Sequence, residues 1–327
     1  MNNGLQTGPS APQSYRLIDF GGGRKLEQFA GYLIDRPSPA AQGVSRRSPQ
    51  LWKDADASYD ERGKSWLFRN PWPDSLSVDC GGFQMPIHPT PYGHVGLFPE
   101  QEGNWVWLRQ MASDLCSNPD GPKPTRKLAE ASFGGTPPSE SREGDDSNRI
   151  GSWGLNLFGY TGASTMAMVS EGFSVAHVDA AKPNVQACRM AARFNGWGSA
   201  TIRYLVDDAL KFARREVRRN RRYQMIVLDP PAYGHAPSGK AWRLERDLWP
   251  LLDTCIDLLD ESFALLITGH SPEVDAADVW EHLRASPRLS KRQILDSLRV
   301  QQGRSAIQSI DGRSLDSGFY VRTWASP

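Results

Sequence analysis

From residue 154 onward, apolar and polar positions switch between two periods. Residues 154–158 form a short apolar run that breaks at Gly159, and 163–170 follow at helical spacing. A second apolar run, 175–178, ends at Asp179. Residues 183–195 then place Val185, Cys188, Ala191 and Ala192 on one helical face. The alternation continues as strand (201–206), helix (210–217), strand (225–228), helix (248–259) and strand (263–268), and 294–300 and 318–324 read as two closing strands. Strands separated by helices of this length predict a parallel sheet covered on both faces, a doubly wound α/β fold.

The preceding chain is patterned differently. Residues 1–14 are polar and are expected to be a flexible tail. Residues 15–112 hold short alternating or aromatic segments, such as 15–20, 31–34 and 95–98, punctuated by Gly21, Gly22, Gly23, Pro37 and Pro99. That predicts a smaller β-rich region. Trp52, Trp66, Trp72, Trp105 and Trp107 fall there, as core or as an aromatic surface. Residues 113–150 are rich in Pro, Gly, Ser and charge, the composition of a linker or flexible loop. The α/β domain is expected over 151–327.

Composition narrows the picture. With 39% hydrophobic and 23% charged residues the chain is globular, and a net charge of +1 excludes polyanion binding by bulk charge. Any nucleic-acid surface must come from local clusters. One candidate is Arg214, Arg215, Arg218, Arg219, Arg221 and Arg222, which share one broad face if the helix continues that far; a solvated helix face is the alternative. Cys80, Cys116, Cys188 and Cys255 stand apart without a CxxC pair, so neither a zinc site nor a disulfide framework is implied, and no metal is expected. Residues 1–13 lack the blocks of a signal peptide and the longest apolar run is too short for a bilayer, so a cytoplasmic location is the expectation.

Ligands of open α/β sheets bind outside the carboxyl ends of the strands. The first strand ends in Asn156, Leu157, Phe158, Gly159, Tyr160, Thr161, Gly162, where the two glycines would let backbone pass close to a ligand. A nicotinamide site would also use a glycine turn here, but the GxGxxG spacing is missing. Asp179 at the second strand end can accept the hydroxyls of a ribose, or cap the next helix. Of Asp207 and Asp208, one can accept from an adenine amino group while the other caps a helix; Asp208 is favoured for the adenine. After the fourth strand come Asp229, Pro230, Pro231, Ala232, Tyr233. The prolines remove two backbone donors, Tyr233 offers a ring for a planar base, and Asp229 can accept a proton or hydrogen bond from the reacting group.

Together these segments resemble the class I methyltransferases, dependent on S-adenosylmethionine (SAM), that modify large-subunit ribosomal RNA. The nearest groups are the cytosine carbon-5 enzymes and the related guanine nitrogen-7 domain. The resemblance covers residues 154–271 and implies a Rossmann-like methyltransferase sheet with a smaller N-terminal β-rich segment. SAM is implied as cofactor, held by Asn156, Phe158, Gly159, Tyr160, Thr161, Gly162, Asp179 and Asp208, and RNA as the acceptor. The segment Gly96 to Gln101 resembles that family's short motif before the catalytic domain and implies Gln101 near the cofactor. Asp229, Pro230, Pro231 and Tyr233 would carry the reaction.

One departure matters. The cytosine enzymes carry a thiolate after the fifth strand, where this chain has Thr268, Gly269, His270, Ser271. Methylation of a base nitrogen by direct displacement is therefore the expectation; His270 reads as a surface histidine near a turn, with an assisting base as the alternative. The rival readings are a protein or small-molecule methyltransferase, a nicotinamide oxidoreductase, and a non-catalytic RNA-binding module.

Overall fold

The computed structural model of the protein describes residues 15–117, 151–235, 241–291 and 297–325. The expected tail lies outside the described residues, as does the expected linker of 113–150 from residue 118 on; its first five residues, 113–117, close a helix instead.

The N-terminal region is a five-stranded sheet in the order β1 (Tyr15–Gly21), β2 (Arg24–Phe29), β3 (Tyr32–Pro37), β4 (Ala57–Asp60) and β5 (Ser65–Phe68). Two-residue turns join the first three strands, and Gly22 and Gly23 take the positive φ (61° and 73°) that such a turn requires. A short ribbon follows, β6 (Ser77–Asp79) with β7 (Gln84–Pro86). Residues 95–98, expected as a strand, are irregular chain instead. The helix α1 (Glu102–Ser117) was not anticipated, although buried Trp105, Leu108 and Ala112 recur at helical spacing. Of the tryptophans, Trp52, Trp105 and Trp107 are core. Trp66 and Trp72 pack edge-to-face with each other, their ring centroids 6.0 Å apart.

The second part alternates as expected: β8 (Trp153–Leu157), α2 (Ala163–Val169), β9 (Ser174–Asp179), α3 (Lys182–Phe194), β10 (Ile202–Val206), α4 (Ala209–Arg218) and β11 (Tyr223–Leu228). A small hairpin, β12 (Tyr233–His235) with β13 (Ala241–Arg243), precedes α5 (Leu244–Ile256) and β14 (Leu259–Gly269). Then come α6 (Ala276–Arg284), α7 (Pro287–Lys291), β15 (Arg299–Gln308) and β16 (Ser314–Ala325). The seven-stranded sheet runs β10-β9-β8-β11-β14-β16-β15, parallel except that β16 runs antiparallel to both its neighbours. Of the strand expected at 294–300, residues 294–296 lie outside the described residues, 297–298 are not strand and 299–300 open β15. The rest of β15 eluded the hydrophobic pattern because it is largely exposed and polar, and pairing with β16 rather than burial makes it a strand.

Alternate residues of the central strands feed two cores. Leu155, Leu157, Ile226 and Leu228 pack with Phe212, Leu248 and Leu252. Met225 and Val227 face Met166, Cys188, Trp105 and Leu108. Helices thus cover both faces, with α1 among them.

The arginine run is not one helical stripe. α4 ends at Arg218 and the chain turns at Asn220 (φ 52°), so Arg221 and Arg222 leave the helix. Arg215 is paired with Asp207, and Arg219 with the fully buried Glu216.

The two sheets are joined at one end. Leu17 bridges to Ser309, and Ile310 N donates to Leu17 O at 2.9 Å. Beside them Asp19, 1% exposed, accepts from Trp52 Nε1 (2.8 Å), Ser48 N (3.0 Å) and the Arg313 guanidinium. Removing one partner of a buried ion pair leaves the other uncompensated. Asp19→Ala is expected to lower the unfolding free energy by about 3 kcal/mol or more, read by denaturant titration.

Candidate functional site

The chain leaves β8 toward one side of the sheet and returns through β11 on the other, which opens a crevice at their carboxyl ends. The loop after β8 is tightly wound. Phe158 (φ 57°), Tyr160 (φ 49°) and Gly162 (φ 96°) all have left-handed backbone, unfavourable for the first two. Three hydrogen bonds hold it: Tyr160 N to Asp179 Oδ2 (2.8 Å), Gly159 N to Val178 O (2.9 Å), and Thr161 Oγ1 to Gly96 O (2.5 Å).

The two glycines are required by packing beneath the loop. A Cβ on Gly159 would lie 2.5 Å from the His177 ring, and one on Gly162 would collide with Cys188. Asn156 is also structural. It is 2% exposed and donates through Nδ2 to Thr165 Oγ1 at 2.9 Å. The Thr165 hydroxyl lies 2.9 Å from His177 Nδ1. Burial pushes the His177 pKa down to about 4.

Above the strand ends lies a cavity of about 840 Å³ between the seven-stranded sheet and the N-terminal region. Of the anticipated residues, Phe158, Tyr160, Asp179, Asp208, Gln101, Asp229, Pro230 and Pro231 line it. Asn156, Gly159, Thr161, Gly162 and Tyr233 do not line it. Tyr233 is 55% exposed, on β12. Residues with no motif to announce them also face the cavity, Lys25, Arg36, Asn184 and Trp242, as does Glu100 from the segment Gly96 to Gln101.

At one end, Asp179 accepts from Tyr160 N, Ala181 N (2.8 Å) and Asn184 Nδ2 (3.0 Å). Asp207 is committed through Oδ1 to Asp208 N and through Oδ2 to Arg215. Asp208 caps α4 with Oδ1, accepting from Lys211 N at 2.9 Å. Toward the other end Asp229 accepts from Thr268 Oγ1 (2.5 Å) and Gln101 Nε2 (3.4 Å). Burial, with the Glu100 charge adding to it, pushes Asp229 up to about 6 against the Thr268 hydrogen bond. The Pro231 carbonyl is already taken by Trp242 Nε1 at 2.8 Å, and the Trp242 ring sits 4.9 Å from that of Phe158. His270 faces the cavity too, 3.7 Å from Asp316.

No family model matches the chain. Among solved structures, a SAM-dependent methyltransferase from Agrobacterium tumefaciens is 28% identical and superimposes with a TM-score of 0.75, over 97% of this chain and 91% of that one. The fold is that of a SAM-dependent methyltransferase. Among curated proteins the chain is 30% identical over 116 residues to a ribosomal RNA large subunit methyltransferase K/L of Methylococcus capsulatus. It is 32% identical over 80 residues to a ribosomal RNA large subunit methyltransferase I of Alteromonas mediterranea. These matches take in 35% and 24% of this chain but only 16% and 20% of the relatives, so the likeness is to a part of each.

In this methyltransferase fold, among the described residues, no group of three or more His, Cys, Asp or Glu could hold a metal ion. No described helix is long and apolar enough to cross a membrane. The buried His177 makes a testable signature. Between pH 6.5 and 4 the unfolded chain binds a proton at this residue that the folded chain refuses. Its contribution to stability is therefore full above that range and is lost as pH falls through it. In NMR the His177 ring is expected to keep the signals of a neutral imidazole at pH 5.5, where exposed histidines are largely protonated.

Proposed function

We propose that the chain transfers the methyl group of SAM to a nitrogen of a base in RNA, ribosomal RNA first among the acceptors, by direct displacement. The observation that carries this reading is the placement of Asp229 beside the cavity on a Thr268–Gln101 cradle, with two further carboxylates, Asp179 and Asp208, at the other end.

Those carboxylates fit an adenosine. A carboxylate offers about four acceptor positions, and Asp179 uses three, which leaves one for a ribose hydroxyl rather than two. Asn184, anchored through Nδ2, has Oδ1 for the other. Asp207 is consumed by the protein, while Asp208 Oδ2 accepts nothing among the described residues, so Asp208 is the acceptor for the adenine amino group.

When bound, SAM supplies an electrophilic methyl group on a sulfonium. The work of the chain is to orient the acceptor and take its proton. Phe158 and Trp242 form an aromatic wall for a planar base. Asp229, ionised above pH about 6, accepts the hydrogen bond of the acceptor N–H. It would take that proton while the methyl group passes to the nitrogen and its bond to sulfur breaks, leaving a neutral thioether. Pro230 and Pro231 stiffen the loop that presents Asp229. A thiolate route has no support. None of the four cysteines lines the cavity, and burial pushes Cys80, Cys188 and Cys255 well above the usual thiol range. The RNA acceptor draws on the names of the two ribosomal RNA relatives. A cytoplasmic site of action and an α/β catalytic unit over 151–327, preceded by the β-rich region and a linker, complete the reading.

Calorimetry of the wild type with SAM is expected to give micromolar affinity, about −8 kcal/mol, lost in Asp179→Ala that still melts cooperatively. Label from methyl-labelled SAM is expected in RNA; label in protein or in a small product would reassign the acceptor. Folded protein that binds no SAM overturns the proposal. Asp229→Asn should keep SAM affinity and slow transfer by on the order of 100-fold. The wild-type rate should rise with pH through a midpoint near 6, and that limb should vanish in the variant.

A further inference from the structure

The reaction just described leaves one wall of the cavity unused. On the facing strands β2 and β3, Lys25 stands directly opposite Arg36, and Glu27 lies two residues on, so the three side chains share a face. All three are buried: Lys25 is 6% exposed, Arg36 3% and Glu27 0%. Glu27 accepts from Arg36 Nε (2.5 Å), Arg36 Nη2 (3.2 Å), Lys25 Nζ (3.0 Å) and the Tyr15 hydroxyl (2.8 Å). Burial would raise this carboxyl, but the Arg36 and Lys25 charges outweigh it and hold it down at about 2. Two cations around one carboxylate leave an excess positive charge, and Arg36 Nη1 donates to nothing among the described residues.

Across from it stands an anion in the converse position. Glu100 lines the same cavity, and its Oε2 is buried without a hydrogen-bond partner. Its charge is felt by both Arg36 and Asp229. Buried polar groups left unpaired cost free energy unless something satisfies them. Here a spare donor and a spare acceptor face one cavity. A phosphate or another purely anionic ligand would meet repulsion from Glu100. A zwitterion satisfies both sides.

We propose that Arg36 and Lys25 receive the α-carboxylate, and Glu100 the α-ammonium, of the amino-acid end of the cofactor. The inference rests on the SAM reading above and deepens it. The N-terminal sheet is then part of the cofactor site rather than only a surface for the acceptor. The placement is consistent along the cavity: Tyr160, whose backbone is tied to Asp179 at the adenosine end, has its hydroxyl within the field of Arg36. One ligand can therefore span from the Asp179 side to the Arg36 side past the same loop.

The test compares S-adenosylhomocysteine with 5′-methylthioadenosine, which keeps the adenosine and thioether and lacks the amino-acid end. Calorimetry of the wild type is expected to favour S-adenosylhomocysteine by about tenfold or more. Lys25→Met and Glu100→Gln leave the Arg36–Glu27 pair intact, and each should reduce that preference several-fold while keeping the affinity for methylthioadenosine. Equal wild-type affinity for the two ligands overturns the subsite and leaves the adenosine site standing. So does an undiminished preference in both variants. Failure of the folded wild type to bind either ligand overturns the SAM reading itself, and this inference with it.

Discussion

The hydrogen bond from Tyr160 N to Asp179 Oδ2 is the constraint on which the rest of the site hangs. The loop after β8 must turn sharply enough to expose a cavity above the sheet, and it does so with two non-glycine residues in left-handed backbone. Such conformations persist only where the surroundings over-determine them. Asp179 does this from the neighbouring strand, so the ends of β8 and β9 form one unit. Beneath it, Gly159 rests on a neutral His177 that is locked by Thr165 and Asn156, and Gly162 rests on Cys188. Several residues of the glycine motif thus also form the foundation of the loop.

With that corner rigid, the second strand pair can be specialised. Asp229 leaves β11 into a site where burial raises its carboxyl toward neutrality. Thr268 from β14 and Gln101 from the turn before α1 hold it there. Gln101 is itself held, since Asn104 donates to it at 2.5 Å, and Arg322 from β16 donates to Asn104. A chain of polar contacts thus runs from the C-terminal strand through α1 to the candidate acid. Each link comes from a different part of the sequence.

The N-terminal sheet closes the cavity with a buried charge cluster, which is costly to build into a core. It is tolerable because Glu27 pairs with both cations, offsetting one of the two charges, and because the cluster opens onto a cavity rather than onto apolar packing. The attachment of this sheet through Asp19 and Arg313 keeps the cluster facing the strand ends.

Much of the fold was legible because hydrophobic period reports burial directly. The five parallel strands and the helices α2 to α5 were placed from apolar spacing, with α5 shifted toward its N-terminus. The same logic failed for β15, whose residues are exposed and are strands only through their partner, and for residues 95–98, which have strand-like composition but no ladder to join. Strand ends were equally legible, since an acid or a glycine after an apolar run can only lie at the edge of the sheet; hence Asp179, Asp208 and Asp229 all reach the cavity. The chain alone thus indicated which strand ends open onto the cavity. The tertiary structure decided what each side chain does there: that Asn156, Gly159 and Gly162 pack inward, that Asp207 is spent on Arg215, that Tyr233 stands outside, and that Lys25, Arg36 and Glu100 face the site. The reason is physical: a local pattern encodes which way a residue points, whereas a binding site is made by residues far apart in the chain, whose meeting depends on how the two sheets pack.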